Sequence, residues 1–203
     1  MDPALPAAQR SLVANGPPIH VHVVCPDNGR MSLVAHYRVA HSGLGGLGVS
    51  SSGLHVTGTS YASLSEDQQA MAAELKGEGP TLFTSFVGAS SGSVQPADII
   101  FSADIETHRG VVDTFKRLGR RSPASRGITY AIAPIKPLAA DGAEDRFAAL
   151  VVGTLRDVVS GAKAAAEGPS PFGATATGWD GAVEAAVERA AQLRNVDLAL
   201  AVL

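Results

Sequence analysis

Apolar and polar residues alternate over two neighbouring segments near the start of the chain, residues 19–25 and 31–39. The odd-numbered positions are apolar in both segments, and the even-numbered positions are mostly polar. Alternation with a period of two is typical of half-buried β-strands. The tripeptide Asp27-Asn28-Gly29 between them suits a three-residue turn with Gly29 at positive φ. The pattern therefore predicts an antiparallel hairpin from Ile19 to Val39.

The polar face of this hairpin would carry three histidines. With a three-residue turn, His20, His22 and His36 share one face, and Arg38 lies at its edge. Clustered imidazoles can ligate zinc or another divalent metal, or transfer protons near neutral pH. We therefore expect His20 and His36 as acid/base residues, all three histidines as a candidate metal site, and Arg38 as a ligand-binding residue. The alternative is that these imidazoles lie on a solvated or helix-covered face and have no function.

A glycine- and serine-rich segment, residues 41–53, follows the predicted hairpin. Three of its glycines have the spacing of a dinucleotide-binding loop, but the preceding strand does not open a βαβ unit as that loop requires. Backbone N–H groups and hydroxyls can instead surround a small anion. We expect a mobile rim that binds ligand through Gly45, Ser50 and Ser51, the alternative being a flexible surface loop.

A second serine-containing turn is predicted after a helix and a strand. Ser65 and Gln68 have capping-box spacing, which predicts a helix over residues 65–76, and residues 81–87 are apolar enough for a buried strand. The sequence Gly-Ala-Ser-Ser-Gly at 88–92 matches a nucleophile elbow but lacks the helix that should follow it. Ser90 is a candidate nucleophile and Ser91 a candidate ligand-binding residue; a simple Ser/Gly turn is the alternative.

The clearest supersecondary unit is a βαβ unit made of a strand at 97–103, a helix at 108–118 and a strand at 128–133. Asp104, Glu106 and His108 fall between the first strand and the helix, where open α/β sheets bind ligands. Two carboxylates and an imidazole can bind a divalent metal or transfer protons. Acidic residues are also favoured before a helix by its macrodipole alone.

The last third of the chain predicts two helices and a strand. The helices begin near residues 141 and 177, and the strand covers 196–203. Because this strand is apolar on both faces, we expect it inside the sheet. The fold class predicted is α/β (or α+β): an N-terminal segment, 1–17, and one domain, 18–203, in which a mixed sheet with an antiparallel hairpin and one βαβ unit is covered by C-terminal helices.

Composition narrows the choice of partners. Sixteen basic and nineteen acidic residues give a net charge of −3, and only 5% of the residues are aromatic, so we expect neither a nucleic acid nor a membrane partner. No apolar run has the length of a signal peptide or a membrane span, and Cys25 is the single cysteine, which together favour a cytoplasmic protein. Cys25 lies before Pro26 on an apolar face, which predicts that it is a buried hydrophobic residue rather than a nucleophile.

Two functional hypotheses follow. The first is an enzyme for a small-molecule ligand, using acid/base and possibly hydrolytic chemistry in a pocket lined by the histidine face and the Gly/Ser loops. The second is a non-catalytic module that binds a small ligand or forms an oligomer. Abundant small residues favour close packing, and we therefore expect a homo-oligomer. The two differ in whether the candidate clusters converge on one pocket.

Overall fold

The computed structural model describes residues 18–55, 64–75, 85–86, 97–118, 129–167, 185–189, 192 and 198–203. The elements of this part of the chain, in order, are β1 (Ile19–Cys25), α1 (Met31–Ala40), β2 (Leu47–Gly53), α2 (Glu66–Leu75), β3 (Ile99–Ser102), α3 (Ile105–Arg117), β4 (Tyr130–Pro134), α4 (Ala143–Glu167) and β5 (Leu198–Val202). Strands and helices therefore alternate along most of the chain, which is the pattern of an α/β fold.

The five strands form one mixed sheet in the order β2-β1-β3-β4-β5. Strands β1 to β4 pair in parallel, and β5 runs antiparallel to β4. From β1 the chain first passes to β2 on one side and later to β3 on the other. The gap between the carboxyl ends of β1 and β3 is thus the switch point at which open α/β sheets bind their ligands.

The predicted N-terminal hairpin is wrong. Residues 31–40 form helix α1, and β1 pairs instead with β2 and β3, both in parallel. The segment MSLVAHYRVA fits the period of 2 of a strand and also the period of 3.6 of a helix, because Leu33, Val34 and Tyr37 recur at helical spacing. Helix formation buries two adjacent residues, Leu33 and Val34, which a half-buried strand would place on opposite faces.

The Gly/Ser segment is also more regular than expected. Only residues 41–46 are a connection, with Gly43 and Gly46 at positive φ, and residues 47–53 form β2. The turn before α1 takes its positive φ at Asn28, at 55°, and not at Gly29. Asparagine tolerates this left-handed conformation better than most residues because its short polar side chain can hydrogen-bond locally.

The βαβ prediction is confirmed by β3, α3 and β4, whose two strands are parallel neighbours. The capping box before α2 is confirmed as well, since the Ser65 amide donates to Gln68 Oε1 at 3.1 Å and the Gln68 amide donates to Ser65 Oγ at 3.3 Å. The last strand exists, but it lies at the end of the described sheet rather than inside it, with Val202 62% exposed.

Helices cover both faces of the sheet. On one face, α1 and α4 pack against the odd-numbered side chains of β1 through a large apolar cluster that includes Val34, Phe101 and Phe147. On the other face, α3 packs through Val111 and Phe115. Helix α2 packs on the outer side of α1. None of the described helices has both the length and the apolarity needed to cross a bilayer.

Candidate functional site

The site is built around the connection from β1 to α1, at the switch point of the sheet. Cys25 is the last residue of β1, and residues 26–30 lead directly into the first turn of α1. The connection from β3 to α3, residues 103–104, lies beside it, because the Ala103 amide donates to the Val24 carbonyl at 2.8 Å. The carboxyl ends of β1 and β3 therefore place a thiol and a helix N-terminus in the crevice between them.

The Cys25 sulfur lies in a small polar network. Its Sγ donates to Asp27 Oδ1 at 3.4 Å and lies 2.9 Å from Ser32 Oγ in the first turn of α1. The Ser32 hydroxyl donates to Asn28 Oδ1 at 2.9 Å, and the Gly29 amide donates to Asp27 Oδ1 at 3.0 Å. These bonds hold the connection in a tight turn around the sulfur.

Electrostatics keep this sulfur protonated near neutral pH. Burial raises the pKa of the Cys25 thiol, a hydrogen bond from Ser32 opposes the rise, and the Asp27 carboxylate raises the pKa further. The side chain is 1% exposed, as predicted from its apolar strand position. A thiolate would form only when a positive charge or a proton acceptor compensates for this environment.

The first turn of α1 can bind an anion through its backbone N–H groups. Among the described residues, no side chain caps its N-terminus, and the first turn contains no acidic residue. In contrast, Asp104 caps α3 through a 2.7 Å bond from the Thr107 amide. Unpaired N–H groups and the positive end of the helix dipole favour phosphate or carboxylate at such a place.

The predicted cluster of Asp104, Glu106 and His108 does lie at the carboxyl edge of β3. Asp104 is the N-cap of α3, so its carboxylate already has a structural role. His108 is buried, which lowers its pKa, and neither its Nδ1 nor Ser102 Oγ has a hydrogen-bond partner in the described structure. A catalytic role for this cluster stays a prediction.

The predicted three-histidine metal site does not form in the described structure. The exposed His20 and the buried His22 lie on the α3 face of the sheet with Val24, whereas His36 lies on α1 and packs on the opposite face. The correction follows from the helix at 31–40, because the predicted common face of His20, His22 and His36 required a strand there.

The buried histidines instead bind the serines of β2. His22 Nδ1 and Nε2 lie 2.7 and 2.6 Å from the hydroxyls of Ser50 and Ser52. His36 Nδ1 lies 3.1 Å from Ser51 Oγ. Burial lowers the pKa of His22 to about 3, with a smaller contribution from His36, and lowers the pKa of His36 to about 4. Ser50 and Ser51, predicted as ligand-binding residues, are therefore engaged within the fold.

Four further candidates lie outside this site or outside the described residues. Arg38 is exposed on α1 and forms a 3.3 Å ion pair with Asp145. Gly45 lies in the connection before β2. Ser90 and Ser91 lie outside the described residues, so both stay predictions.

Sequence reasoning missed the β1–α1 connection as a site. The available signal was a cysteine at the end of an apolar strand, followed by turn residues and then by apolar residues at helical spacing. Because residues 31–39 also fit a strand, the sequence pattern placed Cys25 in a hairpin, where a thiol has no helix N-terminus beside it.

The sheet order and the connection at its switch point define an open α/β protein with a buried thiol beside a helix N-terminus. No family model matches the chain, and no curated protein matches it. Solved structures do match. One is Ssu72, studied for how modifications of the C-terminal domain of RNA polymerase II tune its phosphatase activity, with a TM-score of 0.57 and 14% identity over 93% of this chain and 99% of that chain.

Another match is D. melanogaster Ssu72 with Symplekin, bound to a phosphoserine peptidomimetic of the polymerase C-terminal domain. Its TM-score is 0.59 at 15% identity, again over 93% of this chain and 99% of that chain. At this level of identity the likeness shows a shared fold. The fold class predicted from the sequence, a single mixed α/β domain, is confirmed.

The comparisons correct the expected partners. One neighbour is described by its phosphatase activity, which is a hydrolytic reaction of the kind predicted here. The D. melanogaster structure holds a protein and a phosphopeptide, whereas we expected a small-molecule ligand and a homo-oligomer. The expectation of a homo-oligomer rested on small-residue packing, which supports close packing within a fold as well as between subunits.

Proposed function

We propose that this protein is a phosphoprotein phosphatase that uses Cys25 as its nucleophile. The observation that carries the proposal is the position of the Cys25 sulfur at the carboxyl end of β1, 2.9 Å from Ser32 Oγ in the first turn of α1. A phosphate group docked on the N–H groups of this turn would lie next to the sulfur. The neighbours' phosphatase activity supports the same substrate class.

The reaction proceeds in two displacements. Asp27 Oδ1, the acceptor of the Cys25 thiol, takes its proton, and the thiolate attacks phosphorus. The S–P bond forms as the ester P–O bond breaks, and the proton passes from Asp27 to the leaving oxygen. Water then attacks phosphorus, the S–P bond breaks, and inorganic phosphate and the thiol are released.

Two side chains assist these steps. The Ser32 hydroxyl, now bonded to Asn28, can turn to donate to the thiolate when it forms. Arg30, exposed at the end of the turn, can bind two phosphate oxygens through its planar guanidinium. Because Cys25 is buried, residues 26–30 must move before phosphorus reaches the sulfur.

A second candidate is a non-catalytic phosphopeptide-binding module. It is favoured by the burial of Cys25 and by the raised pKa of its thiol beside the Asp27 carboxylate, both of which oppose formation of a nucleophile. The anion-binding capacity of the α1 N-terminus would be retained in such a module.

The experiment compares the protein with Cys25→Ser on a phosphoserine peptide, measuring phosphate release and, separately, peptide binding by fluorescence anisotropy. Because a serine hydroxyl is not ionised near neutral pH, we expect hydrolysis to fall by at least about 100-fold while binding persists. Acid-quenched digests should contain phosphorylated Cys25. Ser42→Ala, in the connection after α1, is the control and should retain full activity.

The two candidates give different results. Binding without hydrolysis by the unmodified protein would support the binding module and exclude the phosphatase. Hydrolysis that survives Cys25→Ser would show that another residue is the nucleophile. If the protein neither binds nor hydrolyses the peptide, both candidates are wrong.

A further inference from the structure

A groove at the far end of α1 from Cys25 is separate from the candidate site. Helix α1 has ten residues, so its two ends lie roughly 15 Å apart. The groove has a volume of about 420 Å³ and lies between the carboxyl end of α1 and the first half of α4. We call it the α1–α4 groove; it is lined mainly by Arg38, His41, Asp145, Ala148, Val152 and Arg156.

The charge of the groove is opposite to that of the chain as a whole. The chain has a net charge of −3, yet two arginines and a histidine line the groove with one acid, Asp145. Within the described part of the chain, Arg156 forms no ion pair. Its guanidinium is exposed on α4 and can bind a carboxylate from outside the chain.

The ion pair between Arg38 and Asp145 is weak enough for another carboxylate to take the place of Asp145. It consists of one 3.3 Å contact between side chains that are 54% and 72% exposed, and such surface pairs contribute little to stability. A carboxylate from a partner could therefore replace Asp145 on Arg38. The pair also shows that Arg38 can reach a carboxylate across the space between the two helices.

His41 forms a further wall of the groove. Its Nδ1 lies 2.8 Å from the Tyr37 carbonyl oxygen, and its Nε2 lies 3.0 Å from Glu74 Oε1. These two contacts, made from outside the groove, hold the ring in place.

The floor of the groove is apolar and made of small side chains, with Ala148 buried and Val152 half-buried. This floor can accept an aliphatic side chain. No Phe, Tyr or Trp is among the described lining residues, so nucleic-acid bases would find no ring to stack on. A peptide fits the groove better than a nucleic acid does.

We propose that the α1–α4 groove docks an acidic segment of a protein partner. Carboxylates of the segment bind Arg38 and Arg156, and an aliphatic side chain of the segment packs on Ala148 and Val152. The interaction is independent of the chemistry at Cys25, since it uses the opposite end of α1.

The test selects peptides from a random library on the immobilised protein and on Arg156→Glu. We expect Asp and Glu, together with an aliphatic residue, to be enriched on the unmodified protein and not on the variant. The strongest peptide is then measured by fluorescence anisotropy. Arg156→Glu should weaken its binding by at least about tenfold, and Arg38→Glu should weaken it in the same direction.

Arg146→Glu is the matched control, because Arg146 is exposed on the same helix but does not line the groove. Its affinity should stay within about twofold of the unmodified protein. Circular dichroism checks that each variant is folded. The proposal is overturned if no acidic peptide is enriched, if Arg146→Glu weakens binding as much as Arg156→Glu, or if a single-stranded oligonucleotide binds more tightly than the peptide.

Discussion

His22 is buried as a neutral imidazole, and replacing it with glutamine should flatten the dependence of stability on acid pH. Both ring nitrogens are bonded to serine hydroxyls of β2, at 2.7 and 2.6 Å, and burial lowers the pKa to about 3 from 6.5. A glutamine amide can also donate to one hydroxyl and accept from the other, but it does not titrate.

The size of the effect follows from linkage. Between pH 6.5 and pH 3 the unfolded chain binds a proton at His22 and the folded protein does not, so stability falls as the pH falls. At about 1.4 kcal/mol for each pH unit, roughly 3 kcal/mol is lost by about pH 4.5. His36, with a pKa of about 4, has the same sign and adds a similar loss.

Urea unfolding at several pH values between about 7 and 4.5 measures how the free energy of unfolding falls as the pH falls. The unmodified protein should lose stability through both histidines, and His22→Gln should retain only the loss from His36. His20→Gln is the control, because His20 is exposed on the same strand, and its pH dependence should match that of the unmodified protein. Equal slopes for His22→Gln and the unmodified protein would refute the reasoning, as would a free energy of unfolding that stays constant over this range.

Two further changes test the local structure. Ser32→Ala leaves the buried side-chain oxygen of Asn28, Oδ1, without its 2.9 Å donor, so it should lower the free energy of unfolding in urea by about 1–3 kcal/mol. It should also raise the pKa of the Cys25 thiol, because a hydrogen bond to the thiolate is lost. Thiolate absorbance measures this pKa specifically, because Cys25 is the single cysteine, and a fall in the pKa would contradict the second expectation. Asp104→Ala removes the N-cap of α3 and should cost about 1 kcal/mol, whereas Glu106→Ala in the same turn should cost less; equal losses would argue against the cap.

Local signals in the sequence were sufficient for much of the fold. The spacing of Ser65 and Gln68 predicts a capping box, and both of its hydrogen bonds form. The strand–helix–strand pattern between residues 97 and 133 predicts a parallel βαβ unit, and β3, α3 and β4 confirm it. These features depend on residues close together in the chain, so composition and periodicity determine them.

The secondary structure of residues 31–40 was decided only by the tertiary structure. Their apolar positions fit periods of 2 and of 3.6, so the segment becomes a helix because β1 needs a crossover to reach its parallel neighbour β2. The same choice separates His36 from His20 and His22 across the sheet and removes the predicted metal site.

The candidate site depends on that choice as well. Cys25 is the same buried residue in either arrangement, but only a following helix places the first turn of α1 beside its sulfur. The sequence by itself determined which residues are apolar, the capping box before α2 and that the chain combines helices with strands. Which strands are neighbours, and therefore which connection lies at the switch point, depends on contacts between residues far apart in the chain, which periodicity does not encode.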